Sequence, residues 1–451
     1  MKILMRMGMS PLDNCSLYEV VSRDTIGTNA GNMLFPYSVM NTVYRNGMTI
    51  HPYINAKEMD AEKINETYDM FLIPLANAFR KDFIGQLRNL TRLIGKLKIP
   101  CIVIGVGWQA DYEPNFHIEH EYDKDVLEFC KAVLEKSHTL GVRGELTATY
   151  LEKIGIPSDK IRVIGCPSMY LYGEFLPLKK PVVLTEETKI SLSYAGRNEE
   201  YYKFLERVKE QYPNYVYIPQ KIYELRMLYA GDPVPEENVL NKYYIGTPDS
   251  RSFINGKMRM FINVPSWINF LAKMDMGVGC CIHGSIASVL AGNPTLVFAF
   301  DSRVRELAEF HKIPLGKMSD ISEKTQLKEI VENTDFSTVL DGHKERYQNY
   351  LDFLKENGIP YKKIRYGTIT DFEIKMNQMI LNCPQGVVPY CMLSFEDQKR
   401  QLEKYIQLCD GKIKWCHNAK LQGQEEKRIN RILQHWQHSK TMVLNNIQKL
   451  R

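Results

Sequence analysis

Short apolar runs alternate with amphipathic segments along the first part of the chain. The runs at 70–74 and 101–107 are apolar throughout, which predicts strands buried on both faces of a sheet. Segments whose apolar residues recur every three or four positions predict helices. The predicted helices cover about 29–45, 83–97, 126–134 and 145–154, and further strands are predicted at 139–143 and 161–164. This β-α-β-α order predicts a parallel sheet with right-handed crossovers.

A Pro- and Lys-containing stretch at 171–187 interrupts this pattern and predicts a domain boundary. A second α/β series follows, with strands predicted at 189–194, 215–218 and 295–300 and helices at 199–211 and 221–229. The Tyr- and Met-rich stretch 238–262 predicts a loop, and beyond residue 395 the pattern is helical. We therefore expect an α/β protein with two Rossmann-like domains, 1–175 and 185–360, and a mostly helical basic extension, 361–451.

The segment around His283 carries the strongest sign of chemistry. An apolar run at 276–281 leads into His283, Gly284 and Ser285, and a small-residue helix at 286–291 follows. In α/β proteins the carboxyl end of a strand, beside the free N–H groups of a helix start, is a frequent anion site. Gly284 permits close approach of the backbone, and Ser285 is expected to cap the helix. His283 is the predicted acid or base, and a core histidine is the alternative.

Four further positions are candidates for substrate contact near the amino-terminal strands. Asn29, Gly31 and Asn32 open the first long helix, where their amides suit sugar hydroxyls, although a capping turn explains the same pattern. Trp108 follows the glycines that end the strand at 101–107. It is interpreted either as a stacking face for a sugar or as a core residue.

Two arginines also follow predicted strands. Arg143 ends the strand at 139–143, where a guanidinium suits a phosphate or carboxylate, and a salt bridge to Glu145 or to a neighbouring loop is the alternative. Arg303 follows the strand at 295–300 and is a candidate anion contact. Asp301 lies two residues earlier and is either a site residue or a helix cap.

Composition narrows the function classes. The chain has 451 residues and a net charge of +5, and residues 396–451 hold 12 Lys or Arg against six Asp or Glu. The ten cysteines form no C-x-x-C pair, and the first residues lack an apolar signal segment. These features predict a cytoplasmic protein with reduced thiols. No dinucleotide, Walker A or H-E-x-x-H motif occurs, so no cofactor and no metal site are predicted, and nucleic-acid binding is not expected.

In combination, these motifs resemble the polysaccharide pyruvyl transferase family. The resemblance rests on segments spread over about residues 20–315, and it does not include the basic tail. The matching segments are Asn29-x-Gly31-Asn32, Gly105-Val106-Gly107-Trp108, Val142-Arg143-Gly144-Glu145-Leu146-Thr147, Gly165-Cys166-Pro167-Ser168, His283-Gly284-x-x-Ala287, Ala291-Gly292-Asn293-Pro294 and Asp301 with Arg303.

The resemblance implies a glycosyltransferase-B-like fold with the active site between two domains. It implies transfer of a pyruvyl group from phosphoenolpyruvate to two hydroxyls of a sugar, giving a cyclic ketal in a capsule, an exopolysaccharide or a lipid-linked precursor. His283 would donate or shuttle the proton. Arg143, Gly284, Ser285 and Arg303 would bind the donor, and Asn29, Gly31, Asn32, Trp108 and Asp301 would lie on the acceptor side or support the site.

Two positions depart from the family pattern. Cys281 stands where the family commonly has an arginine, and Cys166 stands where it commonly has an aspartate. Arg303 or Arg197 is expected to supply the missing positive charge. A glycosyltransferase with a nucleotide-sugar donor is the second hypothesis, and a non-catalytic member of a polysaccharide-assembly complex is the third.

The sequence pattern of the basic tail bears on the partners of the protein and on its location in the cell. Its Lys and Arg residues alternate with apolar ones such as Ile406, Trp415 and Ile432, which predicts amphipathic helices. Such helices pack on the enzyme or lie on an anionic membrane. In the second case the protein would act at the inner face of the membrane.

Overall fold

The computed structural model describes residues 1–53, 61–179, 182–194, 198–235, 247–380, 385–421 and 426–450. Its first sheet has four parallel strands in the order β2-β1-β3-β4. Two more parallel strands, β5 and β6, extend this unit through a bridge between Val106 and Val142. The strands are β1 (Lys2–Arg6), β2 (Thr49–Tyr53), β3 (Met70–Pro74), β4 (Cys101–Ile104), β5 (Leu140–Val142) and β6 (Ile161–Val163).

Helices pack around this first unit. Both faces of β3 and β4 are buried, as expected for strands covered by helices on both sides. The helices are α1 (Leu17–Arg23), α2 (Gly31–Val43), α3 (Ala61–Thr67), α4 (Ile84–Ile94), α5 (Asp123–Leu134) and α6 (Glu145–Lys153).

The second sheet has five parallel strands in the order β11-β10-β9-β7-β8. Its strands are β7 (Ile190–Ser193), β8 (Val216–Tyr217), β9 (Met276–Gly279), β10 (Thr295–Ala299) and β11 (Leu315–Lys317). The helices that follow and separate them are α7 (Glu199–Gln211), α8 (Ile222–Ala230), α9 (Arg251–Ile254), α10 (Val264–Leu271), α11 (Ile282–Leu290), α12 (Ser302–Phe310), α13 (Leu327–Glu332) and α14 (His343–Glu356).

The last part of the chain is helical, with α15 (Asp371–Ile380), α16 (Phe395–Leu421) and α17 (Glu426–Lys449). Helices α16 and α17 pack against each other and form a hairpin. Side-chain hydrogen bonds join this hairpin to the end of α8: Gln401 donates to the Tyr229 carbonyl, and Asn446 donates to the Ala230 carbonyl. Within the described part of the chain, no helix is long and apolar enough to cross a membrane.

The predicted fold class is confirmed, because the structure has two α/β units with parallel sheets and a helical carboxyl-terminal part. The strand predicted at 101–107 is shorter, because Gly105 takes a φ of 67° and the extended conformation ends at Ile104. The helix predicted at 286–291 begins earlier, at Ile282. Residues 236–246 of the predicted loop, and Arg197, lie outside the described residues.

The two units contact each other through main-chain and side-chain hydrogen bonds. Ala30 N donates to the Gln220 carbonyl at 2.7 Å, and Ile222 N donates to the Thr28 carbonyl at 3.0 Å. Helix α14 also contacts the first unit, because its Asn349 donates to the Val163 carbonyl. Helix α14, which the prediction places in the domain 185–360, therefore also packs on the first unit. The domain limits themselves stay predictions.

Candidate active site

A cleft of about 590 Å³ lies at the carboxyl ends of β1, β2 and β3 and reaches the second unit. Its lining includes Asn29 and Asn32 from the first unit and Lys221 and Arg303 from the second. Four of its lining residues are cations, namely Arg6, Arg80, Lys221 and Arg303. The described residues that line the cleft include no carboxylate. An anion entering this cleft therefore meets four cations, two of which, Arg80 and Arg303, also have an acidic neighbour outside the lining.

His283 lies beside this cleft, in the first turn of α11. A Cβ atom on Gly31 would lie 2.7 Å from His283 Cβ and 2.8 Å from its Nδ1, so the glycine lets the first turn of α2 pack directly on the imidazole. His283 Nε2 is buried and has no hydrogen-bond partner among the described residues. The structure thus brings together two predicted site residues, one from each unit, and leaves one ring nitrogen free.

The surroundings of His283 favour its neutral form. Burial, and then the positive charges of Arg143, Arg303 and Lys221, lower the pKa of His283 to about 3. Near neutral pH the free protein therefore carries an uncharged imidazole here. Such a ring is a weak base, and it takes up a proton readily only where nearby negative charge raises its pKa.

The first turn of α11 differs from the predicted turn. Ser285 N donates to the Cys281 carbonyl at 3.0 Å, and Ser285 Oγ donates to the same carbonyl at 3.3 Å. Ser285 is therefore inside the helix, and the prediction that it caps the helix and offers a free N–H is wrong. The free donors are the N–H groups of Ile282, His283 and Gly284, which have no partner among the described residues. Helices begin with such unsatisfied donors.

The close packing of α11 on Gln220 requires a glycine at position 284. A Cβ at this position would lie 2.5 Å from Gln220 Nε2. Gln220 is itself buried, its Nε2 has no partner among the described residues, and its carbonyl accepts the bond from Ala30. The glycine therefore allows α11 to contact the segment that joins the two units.

Asn29 and Asn32 shape the loop before α2. Asn29 Oδ1 accepts a hydrogen bond from Gly31 N at 2.7 Å, and Asn32 Nδ2 donates to the Gly27 carbonyl at 2.7 Å. Both residues line the cleft. Their polar groups are thus partly used within the protein, and the predicted contact with a sugar stays a prediction.

Arg143 lies behind the cleft wall and is only 1% exposed. Its Nε donates to the Gly105 carbonyl at 2.9 Å, and one terminal nitrogen, Nη2, has no partner among the described residues. Burial lowers the pKa of its guanidinium. Among the described residues Arg143 forms no ion pair with Glu145, and its hydrogen bond goes to the loop after β4, so its contact with a ligand stays a prediction.

Asp301 and Arg303 lie at the start of α12. Asp301 Oδ1 accepts a bond from Val304 N at 3.0 Å, so this carboxylate caps the helix. Its other oxygen lies 3.2 Å from a terminal nitrogen of Arg303. Arg303 lines the cleft, whereas Asp301 holds the helix and the arginine in place.

Trp108 is a core residue. Its ring stacks on Tyr150 at a centroid distance of 4.4 Å, and its Nε1 donates to Tyr122 at 3.2 Å. The indole is buried, so of the two interpretations of the sequence the structure favours the core.

Sequence reasoning missed several residues of the site. Arg6, Tyr53, Arg80 and Lys221 all line the cleft. They are far apart in the chain and belong to no shared motif, and only the place of Arg6 at the end of a strand could have suggested it. Buried Glu306 was missed as well: it accepts two bonds from Thr147, and burial raises its pKa to about 7.

Cys281, at the family's arginine position, offers no charge to the cleft. Its Sγ donates to the Tyr194 carbonyl at 2.9 Å. A hydrogen bond from Cys280 and, to a smaller extent, the positive charge of Lys221 lower the pKa of this thiol. Cys166 is buried, and its N–H donates to His311 Nε2 at 2.9 Å. Among the described residues, no cluster of three His, Cys, Asp or Glu side chains is arranged to hold a metal ion.

Comparisons with solved structures give distant likenesses. The chain is similar to a UDP-GlcNAc 2-epimerase of Methanocaldococcus jannaschii in complex with UDP-GlcNAc and UDP, at 10% identity and a TM-score of 0.41 over 79% of this chain and 99% of that one. It is also similar to HepE of Anabaena in complex with UDP and glucose, at 11% identity and a TM-score of 0.40 over 79% and 97%.

A match to a sequence-family model identifies the family of the chain. No curated protein matches the chain. The model of the family described as polysaccharide pyruvyl transferase matches residues 29–302, which is more than half of the chain and runs from Asn29 to Ser302. The match therefore includes Gly31, Arg143 and His283. The chain belongs to the polysaccharide pyruvyl transferase family and is a transferase.

Proposed function

We propose that this protein transfers the pyruvyl group of phosphoenolpyruvate to two hydroxyls of a sugar in a surface polysaccharide or its precursor. The methylene carbon of the donor gains a proton while one sugar hydroxyl adds to the central carbon. Phosphate then leaves, and the second hydroxyl closes the ketal. Two hydroxyl protons are lost: one balances the proton gained by carbon, and the other leaves with phosphate.

His283 is proposed to shuttle the first of these protons. Its neutral ring, with Nε2 free, can take a proton from the attacking hydroxyl and pass it to the methylene carbon. A trianionic donor would offset the charges of Arg303 and Lys221. Since those charges help to lower the pKa of His283, donor binding would raise that pKa and make the shuttle more effective.

Lys221 and Arg303 are proposed as the direct ligands of the donor's phosphate and carboxylate. Both line the cleft, and both act electrostatically on His283. The Lys221 ammonium forms no ion pair with a carboxylate among the described residues, although the main-chain N–H of Lys221 donates to Glu224 at 2.8 Å. The free N–H groups of Ile282 and Gly284 add donors at the start of α11. Arg143 is buried behind the cleft wall, and its positive charge adds to that of Lys221 and Arg303.

The observation that carries this proposal is the meeting of a neutral histidine and a cationic cleft without a carboxylate. A small, highly charged donor suits that combination, because four cations line the cleft and the acidic neighbours of Arg80 and Arg303 lie outside the lining.

The test compares ligands by their effect on the melting temperature of the purified protein. Phosphoenolpyruvate is expected to raise it, and Lys221→Gln is expected to reduce that rise. Lys257→Gln is the matched control, because Lys257 is a half-buried lysine outside the cleft that donates to the Pro213 carbonyl. Stabilisation by nucleotide sugars alone would contradict the proposed donor and favour the second hypothesis.

We further propose that the tip of the α16–α17 hairpin contacts an anionic membrane. In the sequence, residues 411–431 around the tip contain six Lys or Arg and two Glu. Trp415 is 50% exposed among them. An exposed indole beside lysines suits the interface of an anionic bilayer, and such contact would bring the cleft close to a lipid-linked acceptor.

A further inference from the structure

A second group of polar residues lies in the cleft, on the wall formed by the first sheet. Arg6 ends β1, Tyr53 ends β2, and the two residues are partners in the parallel register. Arg80 lies after β3. The guanidinium carbons of Arg6 and Arg80 lie 5.5 and 5.8 Å from the centroid of the same ring, Phe83. Parallel strands thus bring two arginines and a tyrosine to one sheet edge.

These side chains have unused hydrogen-bonding capacity. Tyr53 is only 5% exposed, and its hydroxyl has no partner among the described residues. Arg6 forms no ion pair or side-chain hydrogen bond with the described part of the protein. Arg80 has one acidic neighbour, Asp82, at 2.7 Å, and that carboxylate is exposed and outside the cleft lining. Buried donors without partners are costly unless a ligand satisfies them.

The proposed donor does not account for this group. Its phosphate and carboxylate are assigned to Lys221, Arg303 and the start of α11, which belong to the second unit, whereas Arg6, Tyr53 and Arg80 belong to the first. A neutral sugar acceptor would need hydroxyl partners only, and amides at the rim such as Gln86 and Asn89 are of that kind. Two arginines held against one aromatic ring instead suit a planar or tetrahedral anion with several oxygens.

We infer that Arg6, Tyr53 and Arg80 form a second anion subsite, which binds a phosphate group carried by the acceptor saccharide. This inference rests on the proposed function for its division of the cleft into donor and acceptor sides. The acceptor class would be a sugar phosphate or a saccharide linked through phosphate to a carrier. The rim amides would then contact the sugar hydroxyls next to that phosphate.

The experiment measures binding by calorimetry, with glucose 1-phosphate as the probe and glucose and glucuronate as comparison ligands. The wild type is expected to bind glucose 1-phosphate at least tenfold more tightly than either comparison ligand. Arg6→Gln is expected to weaken that binding at least tenfold and to leave the affinity for phosphoenolpyruvate within twofold. Arg80→Gln serves as a second variant should Arg6→Gln not fold.

Arg259→Gln is the matched control, because Arg259 also lies over a phenylalanine, Phe270, at 5.0 Å, but is outside the cleft. Equal binding of glucose and glucose 1-phosphate would overturn the inference, as would a loss of phosphoenolpyruvate binding in Arg6→Gln without a loss of glucose 1-phosphate binding. Tighter binding of glucuronate would overturn the assignment to phosphate. If the wild type binds no phosphoenolpyruvate but Arg6→Gln still abolishes glucose 1-phosphate binding, the donor proposal fails and the subsite stands.

Discussion

His283 has a free ring nitrogen and a charge state set by its neighbours. If it shuttles a proton, His283→Gln should lower kcat on the order of 10²- to 10⁴-fold, which is the usual contribution of a positioned acid or base. The amide fills similar space, so the melting temperature should change little. Phosphate release from phosphoenolpyruvate with an acceptor saccharide measures the first effect, and thermal unfolding measures the second. A large loss of stability with activity retained would support a core histidine instead.

The pH dependence of stability checks the charge state of the same residue. The pKa of His283 is lowered to about 3, whereas an unfolded histidine titrates near 6.5. As the pH falls below about 6.5, the unfolded chain binds a proton that the folded protein does not, so the free energy of unfolding should fall. Urea unfolding at pH 7.5 and 5.5 should show a smaller fall for His283→Gln. Buried His311 and His343 keep contributing in both proteins, since burial lowers their pKa values as well.

At the scale of elements, the packing of α2 on α11 positions the imidazole. Gly31→Ala would place a Cβ 2.7 to 2.9 Å from three atoms of His283, so the ring must move. We expect activity to fall at least tenfold, even though alanine is the better helix former by about 1 kcal/mol. Gly411→Ala is the matched control, because a Cβ there in α16 meets nothing within 4 Å. Unchanged activity in Gly31→Ala would show that the close contact does not matter.

The contact between α2 and α11 also shows which features could be predicted from the sequence and which could not. The apolar runs predicted the buried strands because their burial depends on the local pattern alone, and β3 was placed correctly at Met70–Pro74. The start of α11 was misplaced, because Gly284 and Ser285 resemble a turn locally, whereas in the folded chain they lie in a helix that packs on Gln220 through Gly284 and on Gly31 through His283. His283 was found through its motif. Arg6 and Lys221 were not, because only the folded chain brings such distant segments into one cleft.

For the molecule as a whole, the hairpin shows two different environments. Near the body, Tyr405, Trp436 and Val443 belong to the main core, and here the predicted packing on the enzyme is what the structure shows. Farther out, Cys416, Ala419, Ile429 and Leu433 form a small core of their own. The exposed cations and Trp415 in the outer part of the hairpin are therefore held by a small hydrophobic core that is separate from the main core.

Binding to vesicles tests whether this outer part contacts a membrane. Each cation near an anionic surface contributes about 1 kcal/mol, so reversing the charge of Lys414, Arg428 and Arg431 to glutamate should weaken sedimentation with phosphatidylglycerol-containing vesicles at least tenfold. The matched control reverses Lys312, Lys324 and Lys355, which are exposed on the body of the protein. Wild-type binding by the hairpin variant, or equal binding of the wild type to neutral vesicles, would contradict the proposed contact. The cleft is on the body of the protein, whereas the cations are on the hairpin. Turnover of a water-soluble acceptor should therefore be the same in the wild type, the hairpin variant and the control variant. Only turnover of a membrane-bound acceptor should depend on the hairpin.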